Sequence, residues 1–168
     1  MAEKDQVFSS QVKYDGVFSF KDFYKFCYEW LTEETDLKLT EPKYVEKVKG
    51  NSKDIDVEWE GSRKLTDYFK SSIKISFEIN SLKEVEVNQG GKKITTNQGS
   101  VKIKVKGTLV KDYQSKFEQN AAQKVWRGIY EKWIIPARVK EFEDKVLGDC
   151  DNFLSQAKAY LDLEGKKQ

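Results

Sequence analysis

The chain has 168 residues, 38% of them hydrophobic and 35% charged, which suits one domain with a substantial core and a densely charged surface. Its 30 basic and 28 acidic residues leave a formal charge of +2, so global charge gives no attraction to nucleic acid and any basic patch has to be local. Histidine is absent, which excludes Ser-His-Asp and Cys-His catalysis and histidine-based metal sites.

The opening MAEKDQ is polar and lacks the apolar run of a signal peptide. No window approaches the roughly eighteen apolar residues of a membrane-spanning helix. Phe8, Val12 and Tyr14 fall on one face of a short first strand, and Asp15-Gly16 is a turn signal. Ser19 then caps a helix, with Asp22 as its acidic capping-box partner. Phe20, Phe23, Tyr24, Cys27, Trp30 and Leu31 follow helical spacing. Phe26 and Tyr28 widen that apolar arc beyond a single stripe, which implies burial from two sides or exposure to a cavity or partner.

From Leu37 to Lys111 the hydrophobic period becomes two. Pro42 suits an edge strand or strand end, because it lacks a ladder donor. Ile55, Val57 and Trp59 alternate with acidic residues, and Gly61-Ser62 reads as the following turn. Ile73, Ile75, Phe77 and Ile79 form the cleanest inward row. Gly90-Gly91 is a two-residue hairpin signal that sets Val87 opposite Ile94 and Val85 opposite Thr96. A bulge expected at Gly99 would bring Ile79 near Ile103 and Glu78 opposite Lys104 or Lys102.

The remainder reads as helical. Ser115 and Glu118 form a capping box, Pro136 interrupts the helix, and Val139, Val146, Phe153 and Tyr160 recur every seven residues. A coiled coil is the minority reading of that row. Cys27 and Cys150 each lie on an apolar helix face without a CxxC partner and read as buried thiols. Together with the charge-rich, cysteine-poor composition they suggest a cytoplasmic protein.

In VKIKVK, Lys102, Lys104 and Lys106 must point away from Val101, Ile103 and Val105. With Glu78, Asp56, Glu58 and Glu60 on neighbouring strands, this stripe reads as an ordinary solvated face. It lacks interleaved exposed aromatics, so no specific nucleic-acid role follows. No phosphate loop or dinucleotide fingerprint is present, and the paired carboxylates on the third strand suggest no metal site. No cofactor is implied.

The order strand, aromatic helix, antiparallel meander and long C-terminal helix resembles the helix-grip fold of START and polyketide-cyclase-like proteins. VFSSQVKYDGVFSFKDFYKFCYEWL, the meander and KVWRGIYEKWIIPARVKEF carry the likeness, which covers nearly the whole chain. It implies a curved sheet gripping the helix, with an apolar cavity between them for a lipid-like or other hydrophobic molecule. The C-terminal helical region departs from that pattern by running past a single helix and by the break at Pro136.

The expected architecture is therefore a single α+β domain over residues 1–168, with 137–164 as a C-terminal helical extension. Its antiparallel β-meander carries the aromatic helix and the long, proline-interrupted C-terminal helix on one face. The leading functional expectation is a non-enzymatic binder of a hydrophobic small molecule. Trp59, Phe77, Ile103, Trp126, Ile129 and Trp133 would line its site. The alternative is a protein–protein interaction or self-association module using Leu147, Leu154 and Leu161 of the C-terminal helix.

Overall fold

The computed structural model describes residues 3–111 and 136–166. Five strands, β1 (Glu3–Phe18), β2 (Lys38–Lys49), β3 (Ser52–Lys64), β4 (Phe69–Gln89) and β5 (Lys92–Lys111), form one antiparallel sheet in the order β1-β5-β4-β3-β2. Helix α1 (Phe20–Glu34) links β1 to β2, and α2 (Pro136–Lys166) ends the chain. The expected α+β meander with both helices on one face is the observed architecture.

Two local turn signals are overridden by strand pairing. Asp15 and Gly16 stay within β1, opposite Ser100 and Gly99 of β5. The long β5 partner rewards every added rung, and this outweighs the local preference for a turn. The chain leaves the sheet at Ser19 instead, whose hydroxyl accepts the Asp22 amide at 3.3 Å and caps α1 as expected. Gly61 and Ser62 likewise remain in β3, opposite Ile73 and Ser72. The β3–β4 turn falls at Leu65–Tyr68, where the Thr66 hydroxyl accepts the amides of Tyr68 and Phe69 at 3.1 and 3.0 Å.

The Gly90-Gly91 hairpin forms as read, with φ of +57° and +81° and the pairs Val87–Ile94 and Val85–Thr96. The bulge beyond it lies on the other strand from the one expected. The extra residue is in β4, between Asn80 and Lys83, where Ser81 takes a φ of +55°. Asp54 Oδ1 accepts the Ser81 amide at 2.9 Å and pins that conformation. Consequently Ile79 pairs with Val101, and Phe77 rather than Ile79 faces Ile103.

The inward rows of β3, β4 and β5 are buried from Ile55 to Trp59, from Ile73 to Ile79 and from Val101 to Val105. Each such aliphatic or aromatic side chain contributes about 1.5–3 kcal/mol on burial. α2 lies chiefly over β1 and β5. Its Val146, Cys150, Phe153, Leu154, Ala157 and Leu161 are buried, with Val139 and Tyr160 half-buried beside them. The seven-residue row is thus the face that α2 turns to its own sheet and to α1, not a coiled-coil seam. Gly107 permits the close approach: a Cβ there would sit 2.6 Å from Cys150 Sγ and 3.0 Å from Val146 Cγ1.

The broad arc of α1 packs on two sides, toward α2 and toward the sheet, while Tyr28 at its margin stays exposed. Toward α2, Phe26 stacks on Tyr160 at 4.5 Å and Trp30 meets Phe153 at 5.8 Å. Toward the sheet, Phe23 meets Phe77 edge-on at 6.1 Å. Both cysteines are buried and free, and burial pushes the Cys27 thiol well above its ordinary pKa and the Cys150 thiol up to about 12.

Candidate functional site

The lysine stripe takes its place on the face away from the helices, as alternation requires. Lys104 bonds Glu78 at 3.2 Å and Lys74 lies 3.9 Å from Glu60, so acidic neighbours partly neutralise it. A surface depression of 280 Å³ lies over Ser76, whose short side chain sits among Glu58, Glu60, Lys74, Lys104 and Lys106. The charges there alternate in sign and form a solvated polar face.

Of the residues expected to line a ligand site, Trp59, Phe77 and Ile103 are brought together on the helix-facing side and are buried. Trp126, Ile129 and Trp133, with the Ser115 capping box, lie outside the described residues. Leu154 and Leu161, expected on a partner surface, are instead core residues, while Leu147 is 43% exposed. Their inward turn follows from helical spacing: Leu154 and Leu161 share one α2 face with the buried Cys150 and Ala157. On the same inner face, the buried Ser71 hydroxyl has no hydrogen-bond partner among the described residues.

The chemically most distinctive place is where α1 crosses the β2 edge. It is built outward from Trp59. That indole meets Phe77 at 4.9 Å, Tyr24 at 5.1 Å and Tyr28 at 5.8 Å, each edge-on. The β2 ladder shifts register between Thr40 and Lys43, so Glu41 and Pro42 together oppose Trp59. Proline at 42 cannot supply a rung, and the resulting bulge re-aims the neighbouring side chain. Glu41 therefore reaches the inner face, where its Oε1 accepts the Trp59 Nε1–H at 3.1 Å and the Tyr24 hydroxyl at 2.5 Å.

Around this carboxylate lies an open recess of 430 Å³, lined by Phe20, Lys21, Tyr24, Glu41 and Tyr44. Phe20 and Tyr24, four residues apart and half-buried, flank the inward Phe23 on the first α1 turns, with ring centres 5.9 Å apart. Tyr44 approaches from β2 at 6.3 Å from Tyr24, with the two rings at 83°. Its hydroxyl donates to Glu46 at 2.8 Å, and Glu46 in turn lies 3.4 Å from Lys53. Burial, then the Glu41 hydrogen bond, pushes Tyr24 up to about 12, and burial followed by Glu46 raises Tyr44 likewise. Both phenols are thus held as neutral donors committed to carboxylates, and the Tyr44 bond lowers the pKa of Glu46.

Sequence reasoning found Trp59 and placed Phe20 and Tyr24 on the apolar arc, but it missed Glu41 and Tyr44. The available signal was Pro42 itself, which marks a bulge on an edge strand. Among the described residues, no three His, Cys, Asp or Glu side chains converge on a metal site, and no helix is long and apolar enough to cross a membrane. No protein-family model, curated protein or solved structure matches the chain.

Proposed function

We propose that the protein is a non-enzymatic binder of a small hydrophobic or lipid-like molecule, and that its ligand enters at the recess between α1 and the β2 edge. The observation that carries this reading is the solvent-open aromatic wall of Phe20, Tyr24 and Tyr44, continuous with the buried Trp59–Phe77 pair. Apolar pockets with a few fixed polar groups are the usual form of small-molecule sites. Here the polar group is Glu41, held by two donors. The site therefore sits toward α1 and β2, shifted from a cavity between the sheet and the C-terminal helix, and keeps Trp59 as its inner member.

Titration with an environment-sensitive apolar fluorophore tests the reading. The parent protein should bind it saturably, and Tyr44→Ala should weaken binding while leaving the circular dichroism spectrum unchanged, because Tyr44 is 42% exposed. Mass spectrometry of small molecules retained through purification should show an apolar or amphipathic compound that the Tyr44→Ala variant does not retain. Equal probe binding by parent and variant would remove the site from this recess.

A further inference from the structure

We propose that the recess takes an organic ammonium group, methylated and without strong donor needs, as the head of its ligand. This rests on the ligand-binding reading above and deepens it. Three aromatic side chains from two elements face one opening, and the Tyr24 and Tyr44 rings stand nearly perpendicular. Aromatic rings gathered at one opening attract a soft, weakly hydrated cation that settles over a ring face, through the ring quadrupole.

The polar groups point the same way. Glu41 uses one oxygen for two neutral donors, and no cationic side chain pairs with it among the described residues. Its charge is left for something else. The two phenol hydroxyls, which could have donated to an anionic or carbonyl ligand, are already bonded to Glu41 and Glu46. The recess thus offers negative charge and ring faces but few free donors. A primary ammonium would forfeit hydrogen bonds to water there, whereas a trimethylammonium group has none to lose. Lys21 at the rim and the positive end of α1 act in the opposite sense. Lys21 is exposed and its removal supplies a direct check of the sign of the site.

The test compares choline with its neutral carbon isostere, neohexyl alcohol, by ligand-detected NMR and calorimetry at low salt. Choline should bind the parent with its methyl resonances shifted upfield by the rings, and the isostere should bind about tenfold more weakly. Glu41→Gln keeps an acceptor for Tyr24 and Trp59 but removes the charge; it should weaken choline about tenfold and leave the isostere unchanged. Lys21→Ala should tighten choline by roughly threefold. Tyr44→Ala, on the surface, should weaken both ligands. If the isostere binds as tightly as choline, or Glu41→Gln leaves choline binding intact, the cationic specificity is overturned while an apolar site survives. If choline does not bind the parent, the inference falls even where the fluorophore binds. If neither isostere nor fluorophore binds, the ligand-binding reading falls with it.

Discussion

At Gly107 α2 packs directly on the sheet, and replacing this residue with alanine tests how the two are seated. The added Cβ would lie 2.6 Å from Cys150 Sγ and 3.0 Å from Val146 Cγ1, where ordinary carbon contacts are about 3.5–4.0 Å. Cys150 and Val146 are both buried, so neither can swing into solvent. Helix and strand must separate by about 1 Å to restore ordinary contact, and overpacking of this kind costs about 1–3 kcal/mol. Alanine also restricts the unfolded chain, which returns about 0.4–1 kcal/mol. The expected net loss is about 1–2 kcal/mol, or roughly 2–8 °C in melting temperature for a chain of this size. Cys150→Ala removes the nearer atom and should cost about 1 kcal/mol alone. Combined, the two changes exchange one small group for another across the same gap, and Gly107→Ala/Cys150→Ala should be more stable than the sum of the single variants by about 1–2 kcal/mol. Urea unfolding of the four proteins measures this cycle. Additive single effects, or a Gly107→Ala protein as stable as the parent, would show that α2 does not seat on Gly107.

Phe77→Ala should cost about 3–5 kcal/mol by chemical denaturation, because the ring is buried among Phe23, Trp59 and the inward rows of the sheet; a loss below about 1 kcal/mol would contradict that packing. Lys104→Glu sets like charges against Glu78 on an exposed face, so it should cost only about 0.5–1 kcal/mol, and less at high salt. Tyr24 holds its proton to about pH 12 when folded but loses it near its ordinary 10 when unfolded. Its contribution is therefore complete below pH 10 and lost between pH 10 and 12, and Tyr24→Phe should flatten the fall of stability across that window. Cys27 and Cys150 should react with a thiol reagent only at the rate of unfolding, since burial keeps both protonated; rapid labelling of either in native buffer would refute their placement.

Period-two alternation by itself determined the inner rows from Ile55 to Trp59, Ile73 to Ile79 and Val101 to Val105, because a strand has only two faces and one must leave water. Ser19 and Gly90-Gly91 were legible for a similar reason: capping and tight turns are settled within a few residues. Tertiary structure decided where local signals met a long partner strand. Asp15-Gly16 and Gly61-Ser62 stayed extended because β5 and β4 supplied rungs beside them. The bulge went to Ser81 rather than Gly99 because Asp54, 27 residues away, accepts its amide. The heptad row of α2 could have served a second helix; that it meets this chain's own sheet depends on Gly107 letting the two approach. The recess was least legible of all. Glu41 becomes a neighbour of Tyr24 and Trp59 only after Pro42 shifts the β2 register, and a contact between an edge bulge, a helix and a third element leaves no periodic trace in any one of them.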